Sequence, residues 1–147
     1  MPTTDTYKVI SSAVFYTDKK VFLAVRPTGD NYWEIPKGLI DNNERPEDTA
    51  VREFKEETGI TIQRQNLQYM GYCALHEHKD LYLFAYIVDK LPNINSLVCK
   101  STTTAYGNPV PEIADFRYLP VGEINKLRHG LRTPLHKAVF KLFNITT

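Results

Sequence analysis

The chain has 147 residues, 42% of them hydrophobic and 24% charged, with a formal net charge of +1. That is the size and balance of one ordinary globular domain, residues 1–147. So even a charge gives no bulk electrostatic case for a membrane surface or for nucleic acid. No run approaches the roughly 18 apolar residues of a membrane helix, and "MPTTDTYKV" has no basic-then-apolar signal pattern, so the expected compartment is the cytoplasm. The two cysteines, Cys73 and Cys99, form no CxxC pair and read as reduced thiols.

Two strand-like runs open the chain, Val9–Tyr16 and Lys20–Pro27, with Thr17, Asp18 and Lys19 as a hairpin turn. "YWEIP" reads as a brief strand cut off by Pro36. A helix follows. Pro46 suits its first position, Glu47 and Asp48 put negative charge in its first turn, and Gly59 stops it. Strands are then expected over "LQYMGYCALHE", "DLYLFAYIVD" and "IADFRYLP", with a long loop from Lys90 to Pro111 before the last. Two short helices close the chain, one around Gly122–Arg128 and one over Pro134–Phe143 with Thr133 as its cap. Runs of strands with helices between them point to an α+β sandwich rather than a regular βαβ alternation.

The stretch "GLIDNNERPEDTAVREFKEETGI", Gly38 to Ile60, carries the chemistry. At about 100° per residue, Glu53, Glu56 and Glu57 share one side of the helix, while Phe54, Thr58 and Val51 cover another and Lys55 points away. Like charges at i,i+4 cost about 0.2–0.5 kcal/mol, so a merely solvated helix would mix its signs. Arg52 reaches Glu56 and relieves one pair, leaving the cluster net negative. A hard divalent cation such as Mg2+, which takes carboxylates, waters and substrate phosphates, accounts for the arrangement.

The spacing of that stretch resembles the complete Nudix box: Gly38, five residues, Glu44, seven residues, then Arg52-Glu53-Phe54-Lys55-Glu56-Glu57-Thr58-Gly59-Ile60. The resemblance implies a Nudix-type α/β/α sandwich with a mixed β-sheet, and hydrolysis of a nucleoside diphosphate linked to another group. It also implies Mg2+, with Mn2+ as a possible substitute. Glu56, Glu57 and the carbonyl of Gly38 would hold the metal, Glu53 would bind metal or orient water, and Arg52 would hold the carboxylates through Glu44. A second glutamate often comes from outside the box. Glu112, just before "IADFRYLP", resembles the distal glutamate of the diadenosine-tetraphosphate and RNA-cap branches, as a metal ligand or as the base. Glu77, between His76 and His78, is the weaker rival, and the base remains open between Glu53 and Glu112.

"WEIPKG" and "ERPEDTAVREFKEETG" are similar to the diadenosine-tetraphosphate hydrolase branch. By that similarity Tyr82 would stack on a base, and Lys37 and Lys79 would meet phosphates. The proline that marks ADP-ribose hydrolases is absent, since Leu75 and His76 stand there. The expected partner is a small nucleotide. A nucleoside triphosphate or an RNA 5′ end is the alternative, the latter with a local basic strip (Lys126, Arg128, Arg132, Lys137) in its favour, and a nucleotide-binding module that does not cleave is the least favoured. The pattern does not distinguish a monomer from a homodimer.

Overall fold

The computed structural model describes residues 8–143. Strands β1 (Val9–Thr17), β2 (Val21–Pro27) and β3 (Lys37–Leu39) precede helix α1 (Pro46–Thr58). Then come β4 (Gln68–His76), β5 (Lys79–Ile87), β6 (Thr102–Ala105), β7 (Asn108–Pro111), β8 (Ile113–Pro120) and helix α2 (His129–Phe143). The main sheet runs β4-β5-β1-β2-β8, with β3 also paired to β1; β6 and β7 form a separate two-stranded ribbon. β1 and β5 are parallel at the centre and the remaining pairs are antiparallel, so the sheet is mixed.

β1 shows why this sequence makes a sandwich. Its residues are buried on both faces, as expected of a central strand with no solvent side. Ala13 and Phe15 face one cluster with Leu83, Leu131 and Leu135, while Val14 and Tyr16 face the other with Ala50 and Phe54. Helix α2 therefore covers one face and α1 the other, giving the expected α/β/α sandwich.

Helix α1 starts at Pro46 with no side-chain cap and ends at Gly59, whose φ of 82° lets its N–H reach the Lys55 carbonyl at 2.8 Å. Three elements differ from expectation. The strand over "YWEIP" reduces to a bridge in which Glu34 pairs with Val25, and the strand proper forms after Pro36, where N–H groups are again available to β1. The helical segment near Gly122–Arg128 is a 3-10 stretch over Val121–Lys126. Helix α2 begins at His129, so Thr133 and Pro134 lie inside it. Pro134 forfeits a backbone bond there, but Leu131 and Leu135, one turn apart, are both fully buried, and that packing outweighs the local start signal.

Candidate active site

β3 and α1 build the site together. Gly38, in β3, pairs with Ser12 of β1, and α1 lies across that face with Glu53 against Gly38. A Cβ at position 38 would overlap the Glu53 carboxyl group, so a larger residue there would displace that side chain. Arg52 organises the carboxylates. Its Nε and Nη2 donate to the two Glu44 oxygens at 2.7 and 3.0 Å, and its Nη1 donates to Glu53 at 2.7 Å and to Glu56 at 3.3 Å. A further bond runs to the Leu39 carbonyl at 3.2 Å. Thr49 and the Asp41 amide also donate to Glu44, and Arg52 first among these donors holds its pKa down at about 2.

Among the described residues Glu57 makes no ion pair, and the Lys37 charge nearby only partly offsets its burial. It is 3% exposed and accepts a 3.3 Å bond from the Lys37 amide. Burial, then the charges of Glu112 and Glu53, raise its pKa well above the usual carboxylate range. Burial also raises Glu53, against the pull of Arg52. Glu112 thus stands near both, although it lies 55 residues further along the chain than Glu57. Its Oε1 accepts from Ser101 Oγ at 2.8 Å.

A cleft of about 290 Å3 is lined by Lys37, Gly38, Glu53, Glu56, Lys79 and Glu112. A cavity of about 210 Å3 shares Lys37 and Glu112 with it and adds Glu57, Glu34 and Arg128. Burial, then Lys37, lower the pKa of Lys79, and the two lysines line the same cleft. Glu53, Glu56, Glu112 and both lysines thus line one cleft, while Glu57 lines the adjoining cavity. Tyr82 lines neither. It sits two strands from Gly38 on the same row, through Ser12, with its ring 4.7 Å from that of Tyr72. Glu77 is exposed in the β4–β5 turn beside His78.

Sequence reasoning missed Glu34 and Ser101, and placed Arg128 only in a basic strip. Glu34 is nearly buried and holds both Lys37 Nζ at 3.0 Å and Arg128 Nη1 at 2.8 Å. Its burial favours the neutral acid, but the two cations prevail and its pKa is lowered. A glutamate three residues before Lys37 was a visible signal; its link to Arg128, 94 residues on, was not. Of the basic strip, Lys126 is paired with Glu123 and Arg128 with Glu34.

Among the described residues no three carboxylate, imidazole or thiol groups already converge on one point. Glu53 and Glu56 are turned toward Arg52 instead. The donor set nevertheless suits a hard divalent cation. Glu57 is a buried carboxylate whose neighbours Glu53 and Glu112 outweigh the nearby Lys37 charge, and position 38 carries no side chain of its own.

A family model for the NUDIX domain matches residues 6–142. The chain belongs to the Nudix family of hydrolases. An RNA pyrophosphohydrolase of Campylobacter jejuni is 24% identical over 139 residues, spanning 92% of this chain and 88% of that protein. Among solved structures, an Ap4A hydrolase of C. elegans in a binary complex superposes with a TM-score of 0.69 at 16% identity, over 93% of this chain and 99% of that one. The MutT protein of Methanosarcina mazei Go1 gives 0.68 at 17% identity, over 95% and 98%. At these identities the superpositions show a shared Nudix fold. In this Nudix chain the fold sets Arg52, Glu53, Glu56 and Glu57 on α1 beside Gly38 of β3.

Proposed function

We propose that this Nudix protein is a magnesium-dependent pyrophosphohydrolase acting on a nucleoside diphosphate linked to another group, best matched by dinucleoside polyphosphates such as diadenosine tetraphosphate, cleaved to ATP and AMP. One observation carries the reading. A single cleft has Glu53, Glu56 and Glu112 on its walls together with the amines of Lys37 and Lys79. A polyphosphate requires both a place for a cation and fixed positive charge beside it. Gly38, Glu53, Glu56 and Glu57 would hold Mg2+, or Mn2+ in its place, which leaves Glu112 for the base. When bound, the ion supplies charge neutralisation at the scissile phosphate.

The side chains do the rest. Lys37 and Lys79 hold phosphate oxygens as point charges. Arg52 keeps Glu44, Glu53 and Glu56 on one side of the cleft. Glu112 accepts a proton from the attacking water as its oxygen bonds to phosphorus and the bridging P–O bond breaks in line. Glu53 is less suited to that role, because Arg52 grips it at 2.7 Å, whereas Glu112 has one oxygen held by Ser101 and one free for the proton. Tyr82, beside Tyr72, offers an aromatic face to a base.

A second reading, removal of pyrophosphate from an RNA 5′ end, is favoured by the Campylobacter relative, which aligns over nearly the whole chain. Lys126 and Arg128 are each paired with a glutamate, as Lys37 is with Glu34, so the basic strip does not separate the two readings. Initial rates with Mg2+ on diadenosine tetraphosphate, 5′-triphosphate RNA, nucleoside triphosphates and ADP-ribose separate the readings. ATP plus AMP should appear fastest, and Tyr82→Ala should raise KM for the dinucleotide several-fold. Faster pyrophosphate release from RNA or from a triphosphate would overturn the substrate choice.

A further inference from the structure

The segment between β5 and β8 holds a feature that the box does not explain. β6 and β7 pair Thr102 with Pro111 through Ala105 with Asn108, and the ribbon is largely exposed, with Tyr106 fully so at its tip. Its root is tied down on three sides. Ser101 and Glu112, one step beyond the last ribbon pair, continue the ladder, with the Glu112 amide donating to the Ser101 carbonyl at 3.0 Å. The amides of Lys100 and Ser101 both donate to the Glu56 carbonyl of α1, at 2.7 and 3.1 Å. Across the cleft, the Thr28 amide donates to the Glu112 carbonyl at 2.9 Å, and Thr28 Oγ1 donates to the Pro111 carbonyl at 2.6 Å.

Ser101 therefore touches both halves of the acidic cluster. Its backbone N–H is fastened to the helical turn that carries Glu56, and its hydroxyl donates to Glu112 Oε1 at 2.8 Å. Strand pairing has a period of two, so a one-residue slip in the ribbon would turn Glu112 to the other face, away from Glu53 and Glu57. An isolated two-stranded ribbon is marginal by itself, and it is the root contacts that hold its register.

We infer that Ser101 is a positioning residue for Glu112, and that the β6–β7 ribbon sets the register in which the two face each other. This rests on the reading of Glu112 as the base. Ser101 does not touch substrate. Its hydroxyl fixes one carboxylate oxygen and leaves the other directed to the attacking water. A hydrogen bond to a charged group is worth about tenfold or more in an equilibrium, which sets the size of the effect.

The test uses the full chain with Mg2+ and diadenosine tetraphosphate as probe, comparing wild type, Ser101→Ala, Ser101→Thr, Glu112→Gln and the Ser101→Ala/Glu112→Gln double variant. Amide hydrogen exchange of the ribbon is followed alongside. The inference expects Ser101→Ala to lose about tenfold or more in kcat with KM within about twofold, Ser101→Thr to recover most of it, and the double variant to be no slower than Glu112→Gln. Ribbon exchange should match wild type, because the main-chain bonds of residue 101 remain. If Glu112→Gln is impaired while Ser101→Ala turns over like wild type, the inference is overturned and the base assignment stands. A further loss in the double variant, or ribbon protection lost together with activity, also overturns it. Wild-type kcat in Glu112→Gln overturns the base assignment and this inference with it.

Discussion

Glu57 and Glu44 are both box glutamates, yet their surroundings drive them in opposite directions. Glu57 is buried beside other carboxylates, with the Lys37 charge too weak to offset them, a costly place for a charge. Without metal, Glu57→Gln should therefore melt higher than wild type, at about 2–4 °C for each kcal/mol relieved in a chain of this size. A melting curve in chelator checks this, and an unchanged or lower Tm would contradict it. Glu44 has its charge fully met, with a pKa held at about 2 against an ordinary 4.5. A depressed carboxylate contributes stability above its unfolded pKa and loses it as pH falls toward the folded value. Urea midpoints should accordingly drop between about pH 4.5 and pH 2 in wild type, and part of that drop should be missing in Glu44→Gln. Both roles were partly legible in the sequence, because a helix is local: turns of about 100° put Glu53, Glu56 and Glu57 together, and Arg52 with them. The burial of Glu57 was not legible, since it depends on β3 and on Glu112.

Among the elements, α1 is the best specified. Its proline start and glycine stop sit where the sequence places them, and Gly59 has the positive φ that other residues resist. A Cβ there would also press on the Val98 carbonyl at 3.1 Å. Gly59→Ala should cost about 1 kcal/mol, read as a shift of the denaturant midpoint at constant m. A neutral result would contradict the account of the cap. The ribbon and α2 show what local signals miss. β6 and β7 are rich in Thr and Pro with no apolar alternation, because neither has a core to face, so the segment reads as loop. In α2 the Thr133-Pro134 pair looks like a beginning, but whether a helix continues through it is decided by Leu131 burying against the sheet, a long-range contact. The succession of the main strands along the chain and the α+β class were legible from apolar runs, but the order of strands in the sheet was not. The approach of Glu112 was not, because it hangs on the register of that ribbon.

For the whole molecule, a net charge of +1 hides a local concentration of charge: Glu53, Glu56, Glu112, Lys37 and Lys79 line one cleft. A ligand that binds only the folded form stabilises it in proportion to RT ln(1 + [L]/Kd), so Mg2+ should raise Tm as its concentration rises, and Glu57→Gln should blunt the rise. Identical melting with and without Mg2+ and nucleotide would count against the metal assignment. The most direct measurement is product analysis of diadenosine tetraphosphate turnover with Mg2+, wild type beside Glu57→Gln. The account predicts ATP and AMP in equal amounts from wild type, abolished by chelator and reduced by orders of magnitude in the variant. Turnover that survives chelator, or that Glu57→Gln leaves intact, would contradict it.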